Sequence, residues 1–206
     1  MDIAKEFARI VSCEACTTRT SSNLLRDSGE NVPQPGFIGR NYRPKGLVLV
    51  GRNPAVCKPE HREQDAAYTD VLRRLKRKPT PELKEELTVL LEDYMPKWWI
   101  IKKFPFDECE VGLDDIAFFN VVRCRMTKDK HHPAQGVINN CRPHFERWLD
   151  LLEPGLLIFL GKWGYDRADD FVNPKKTQTS FINCSSKELI KDQEKVVKLV
   201  HQILNK

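Results

Sequence analysis

Three stretches of this chain are apolar at nearly every position: LVLVG (47–51), IAFFNVVR (116–123) and LLIFLG (156–161). A run with no polar alternation has no solvent-facing side, so each predicts a strand buried on both faces, as in a parallel sheet. A fourth strand is predicted within QTSFINCSS (178–186). Between these strands the apolar residues recur at helical spacing. Ala67, Val71, Leu72 and Leu75 mark one helix within 65–77, and PTPELKEELTVLLEDYMP (79–96) marks another, with proline in its first turn and a proline stop. Phe145, Trp148, Leu149 and Leu152 form the inward face of VINNCRPHFERWLDLLEPG (137–155), which ends at Pro-Gly. A short helix over 163–171 and an amphipathic helix over 188–205 complete the pattern, with Ile3, Phe7, Ile10 and Val11 on one side of an N-terminal helix. Residues 28–46, rich in glycine and proline, predict an irregular loop.

Strands alternating with helices predict an α/β fold, here a three-layer α/β/α sandwich around a central, mostly parallel four-stranded sheet. Ligands of such sheets bind beyond the C-terminal strand ends. Those ends carry Gly51-Arg52-Asn53-Pro54, Asn120, Gly161 and Asn183-Cys184-Ser185.

Composition narrows the classes. The 206 residues, 40% hydrophobic and 31% charged, suit a single globular domain over 1–206, with an insertion at about 79–115. No apolar run approaches the roughly 20 residues of a membrane span, and the N-terminus lacks a signal-peptide pattern. A cytoplasmic, nucleoid-associated monomer without membrane contact is the expectation. The net charge of +5 suits an anionic partner without identifying one. Seven cysteines, an odd count, argue against a disulfide framework.

The Gly51–Ala55 turn has neither the several glycines nor the Lys-Ser/Thr pair of a phosphate loop, and lacks the three spaced glycines of a dinucleotide fingerprint. Pro54 restricts Asn53, whose amide can bind a base edge or position a water. Cys13-x2-Cys16 with the distant Cys124 and Cys141 has the donor count for zinc or an iron–sulfur cluster, although a redox dithiol or buried thiols fit the spacing too. Cys57 and Cys109 suit ordinary thiols. His131-His132 suits a solvated loop, and the aromatic run around Trp98, Trp99, Phe104 and Phe106 suits core or helix packing.

Together, an N-terminal CxxC, VG-x-x-P (50–54), FNVVRC (119–124), a helix with Cys-Arg-Pro (141–143) and LGK (160–162) resemble the uracil-DNA glycosylase superfamily over about residues 11–200. The pattern is most similar to its iron–sulfur branch (family 4). The resemblance implies a [4Fe–4S] cluster on Cys13, Cys16, Cys124 and Cys141, and DNA as partner. In that branch the first active-site loop is Gly-Glu-x-Pro-Gly, and this chain has Arg52 in place of the acid. Asn53 before Pro54 instead resembles the Gly-Ile-Asn-Pro-Gly loop of the mismatch-specific branch, where the asparagine positions the attacking water. The second motif, His-Pro-Ser or Asn-Pro-Ser in the family, is matched by Asn183-Cys184-Ser185 without the proline.

By the same resemblance Asn53 is the catalytic candidate, and Gly51, Arg52, Asn120 and Asn183 bind the base, with Tyr68 stacking on it. Ser185, Ser186 and Lys187 contact DNA. The expected activity is hydrolysis of the N-glycosidic bond of a flipped uracil or other damaged or modified base. The alternative is a catalytically silent DNA-binding or damage-sensing protein on the same fold.

Overall fold

A computed structural model describes residues 3–16, 24, 32–55, 57–128, 131–184 and 189–204. The chain forms two compact units built from interleaved segments. One comprises Met1–Pro35, Asn53–Tyr94 and Val122–His144, and the other Gly36–Arg52, Met95–Val121 and Phe145–Lys206. One of the boundaries falls between Arg52 and Asn53.

The first unit is helical. Helix α1 (Ile3–Val11) packs on α2 (Arg62–Arg77), and α2 on α3 (Pro81–Tyr94). Phe7, Ile10 and Val11 are buried, as are Val71, Leu72 and Leu75 on α2 and Leu87 and Leu91 on α3, which is the face the 3.6-residue period selects. Arg74 links the last turn of α2 to Asp70 and to Glu86 on α3.

The second unit holds a five-stranded mixed sheet in the order β1-β3-β2-β4-β5, with β1 at Phe37–Ile38, β2 at Leu47–Gly51, β3 at Ile116–Asn120, β4 at Leu156–Leu160 and β5 at Gln178–Ile182. The four strands expected from sequence are parallel to one another. Every residue of β2, β3 and β4 is buried, as their unbroken apolar runs require, whereas β5 at the edge is partly exposed.

The sheet has five strands and not four, because β1 pairs antiparallel with β3 inside the stretch expected to be irregular. Two residues show no periodicity, and this strand is set by backbone fit. Gly36 has φ +114°, and a Cβ there would lie 2.4 Å from the Phe118 carbonyl oxygen, so only glycine allows the chain to approach β3.

Helix α4 (Gln135–Leu152) carries residues of both units, and α5 (Lys162–Ala168) and α6 (Leu189–Leu204) pack on β4 and β5. In the second unit Phe119 stacks on Trp148 at 5.9 Å and meets Phe145 edge-on at 5.2 Å. The expected insertion contributes to both units: α3 belongs to the first, and 95–115 to the second. Among the described residues no helix is long and apolar enough to cross a membrane.

Candidate functional site

Strand order reverses at β2. The chain leaves β2 for its neighbour β3, while β4 on the other side continues outward to β5. Such a reversal opens a crevice outside the C-terminal strand ends. Gly51 ends β2 and lies in register with Asn120 at the end of β3. The Asn120 side chain crosses the space a larger residue would fill: a Cβ on Gly51 would lie 2.2 Å from Asn120 Oδ1 and 3.1 Å from Phe118 Cζ. Asn120 is 7% exposed. A buried side-chain amide at this strand end carries both hydrogen-bond donors and an acceptor.

Arg52 follows, half-buried. At the end of β5, the Asn183 N–H donates to Asp192 Oδ2 on α6 at 2.9 Å, which fixes the strand exit. Ser185, Ser186 and Lys187 lie outside the described residues.

Cys184 is buried beside this exit. Burial pushes its thiol from the ordinary 9.0 up to about 11, with Asp192 adding to the rise, and the Lys103 ammonium and a backbone hydrogen bond opposing it. The folded state therefore holds this proton more tightly than the unfolded chain. The resulting stabilisation is complete below pH 9.0 and is lost as pH rises through about 11. At pH 8 iodoacetamide is expected to alkylate Cys184 about a hundredfold more slowly than an unperturbed thiol, as read by peptide mass spectrometry.

In the first unit, Asn53 opens a short loop whose next residue, Pro54, is buried. Asn53 Nδ2 donates to the Pro54 carbonyl at 2.9 Å, which sets the plane of the amide. Tyr68, expected to stack on a base, is 3% exposed, so no face of its ring is open. Burial holds its hydroxyl well above the usual phenol range. The aromatic candidate chosen from sequence spacing is therefore an interior residue of α2.

The sequence did not reveal what surrounds Tyr68. Arg125 grips Asp65 with both terminal nitrogens, Nη1 at 2.7 Å from Oδ2 and Nη2 on Oδ1, with both side chains nearly buried. The Cys57 thiol, which donates to the Lys58 carbonyl at 3.3 Å, lies near enough to Asp65 that burial, followed by the Asp65 charge, raises it. Tyr94, pushed up to about 12 by burial and then by Asp65, completes the cluster. This ties the loop that Asn53 opens to α2 and to the segment after Cys124. No motif announces the pair, whose partners are 60 residues apart.

The four candidate ligands Cys13, Cys16, Cys124 and Cys141 all belong to the first unit, and none of the seven cysteines forms a disulfide. Among the described residues no three His, Cys, Asp or Glu side chains stand as a ready metal-holding group. Three of the thiols nonetheless share one electrostatic neighbourhood. Burial raises Cys141 to about 11, Cys16 and Cys13 push it further up, and the Arg123 backbone N–H and guanidinium pull it down. Asn140 Nδ2 donates to the Ala15 carbonyl at 3.0 Å and reaches Cys16 Sγ at 3.5 Å, which joins the CxxC turn to α4.

Arg123, adjacent to Cys124, is 1% exposed and donates from Nη1 to the Pro35 carbonyl at 2.9 Å. Burial lowers it to about 9, against Cys141, Glu6 and Tyr68, which favour its charge. Thiols of Cys13, Cys16 and Cys141 in one neighbourhood, with an N–H aimed at the Cys141 sulfur and a buried guanidinium beside it, are chemically compatible with thiolate ligation, and Cys124 follows Arg123 directly in the chain.

Comparison with known proteins finds no family profile that matches this chain and no curated protein that matches it.

Proposed function

We propose that the protein is a monofunctional DNA glycosylase with a structural [4Fe–4S] cluster. The observation that carries this reading is the Gly51–Asn120 pair. A buried amide at the end of a central parallel strand, given room by a glycine, suits recognition of a base edge, and neither the turn nor its neighbours supply a phosphate loop. A base must leave the duplex to reach such a site, at a cost of a few kcal/mol of stacking and pairing.

In the reaction the C1′–N bond breaks and its electron pair departs with the base as an anion. The Asn120 amide and backbone N–H groups near Gly51 stabilise that charge. A water oxygen bonds to C1′ of the oxocarbenium-like sugar and gives up its proton, which goes to the departing base or to solvent. Asn53 orients the water. Arg52 supplies positive charge and Asn183 contacts the base, while Ser185, Ser186 and Lys187 hold the flanking phosphates. Cys13, Cys16, Cys124 and Cys141 would hold the cluster, which would supply cohesion of the 13–16 turn with the 124–141 segment, because hydrolysis needs no electron transfer.

Gel cleavage on uracil-, hypoxanthine- and modified-base oligonucleotides tests the reading. Abasic product from any of them supports it, and none, with cluster-replete protein, overturns it. A Gly51→Ala variant adds a geometric check. Its Cβ must displace the Asn120 amide, so excision is expected to fall about 10²-fold. In an Asn120→Ala background the same substitution is expected to cost little more, because the displaced group is already gone.

A further inference from the structure

The segment 95–106, MPKWWIIKKFPF, holds three lysines and no acid, in a chain where acids are otherwise frequent. Its apolar residues mostly do what such residues do: Ile101 and Phe104 are buried, and Trp98 packs edge-on against Phe118 of β3 at 5.8 Å. Trp99 does not. It is 58% exposed, with Lys103 Nζ over its ring at 5.7 Å and Lys102 exposed close by.

Trp99 therefore presents an exposed aromatic surface flanked by cations, one of which already lies over its ring. The segment is also anchored beside α6 and the exit of β5. The Lys103 carbonyl accepts Gln193 Nε2 of α6 at 2.8 Å, and the Lys103 ammonium acts on Cys184 at the exit of β5. Asp192, an acid on the first turn of α6, is engaged by the Asn183 N–H.

We propose that Trp99, Lys102 and Lys103 form a contact element for a single DNA strand, with an unpaired base stacking on the indole and the two lysines holding its phosphates. The proposal deepens the glycosylase reading and rests on it for the choice of DNA. Bases stack on aromatic rings without sequence preference, and lysines track the backbone by charge. A protein that extrudes a base leaves an unpaired partner base and a distorted strand, which such an element can capture. The element recognises strand form and leaves base identity to the pocket.

The test is fluorescence anisotropy on a labelled, undamaged single-stranded oligonucleotide, which requires no turnover. Trp99→Ala is expected to weaken binding about tenfold or more, and Trp99→Phe to retain most of it. Lys102→Ala with Lys103→Ala is expected to flatten the dependence of log affinity on log salt by about 1.4. Trp99 is exposed, so these variants are expected to melt as the wild type does.

Wild-type affinity and salt slope in both variants would overturn the proposal, and base release by a fully active Trp99→Ala would leave the glycosylase reading standing. Failure of the wild type to bind the strand would overturn it as well. So would self-association that Trp99→Ala abolishes without any effect on DNA binding, since the occupant would then be a second copy of the chain. Loss of binding in Trp99→Ala supports the proposal whether or not a substrate base has been found.

Discussion

An Asn53→Ala variant is expected to bind abasic DNA as tightly as the wild type and to release base about 10²–10³-fold more slowly. The size follows from what Asn53 is asked to do. The 51–55 loop carries Arg52 and no acid, and Asn183-Cys184-Ser185 has no histidine, so the Asn53 amide is the group left to place the water. Its position is held by the chain itself. Pro54 restricts the backbone, Nδ2 is tied to the Pro54 carbonyl, and the Cys57–Asp65–Arg125 cluster anchors the loop further on. Single-turnover excision and binding measured side by side check the expectation. Equal rates for variant and wild type would remove Asn53 from the chemistry. A wild type that binds abasic DNA but excises nothing would identify the silent damage sensor instead.

Cys141→Ser is expected to lose both the iron, about four atoms per chain in the wild type, and the brown colour of anaerobically purified protein. Its unfolding free energy should drop by about 4–5 kcal/mol or more, the scale on which loss of a structural metal site is felt. Cys141 is the thiol to change, because it interacts with Cys13 and Cys16 while accepting the backbone N–H of Arg123, next to Cys124. Loss of the Cys141 thiolate would also leave the Arg123 guanidinium buried with less countercharge, which adds to the cost. Cys109→Ser is the control. That cysteine is buried in the other unit, so its replacement should leave iron content unchanged. Metal analysis and the visible spectrum decide the matter: unchanged iron in Cys141→Ser, or equal loss in both variants, would contradict the assignment.

Much of the sheet was legible because burial on both faces leaves a plain trace. Residues 47–51, 116–120 and 156–160 are apolar without interruption, and each is a central strand. The 116–123 run was expected to continue as strand, but it ends at Asn120, where the chain turns away and Val121 donates to the Gly51 carbonyl. The β1 strand left no trace, since its pairing depends on Gly36 lying against the backbone of β3.

Within the candidate site, Gly51 followed from where an apolar run stops and Asn120 from the resemblance of the strand around it, and the strand register then brought them opposite each other. Tyr68 shows the opposite case. Helical spacing placed it correctly on α2 but could not say that its ring points into the interior. The Asp65–Arg125 pair was invisible because a long-range ion pair has no sequence period. Trp99 was hidden by its company: an aromatic run reads as core, and only the fold reveals which ring was left outside.

The central claim is that this chain breaks an N-glycosidic bond, and the most direct measurement is release of the free base. Cluster-replete protein, in excess over a panel of oligonucleotides each carrying one altered base, is incubated and the supernatant analysed by liquid chromatography and mass spectrometry. One free base is expected, appearing in equal amount with the abasic strand and strongly reduced in Asn53→Ala. No free base from any member of the panel would contradict it.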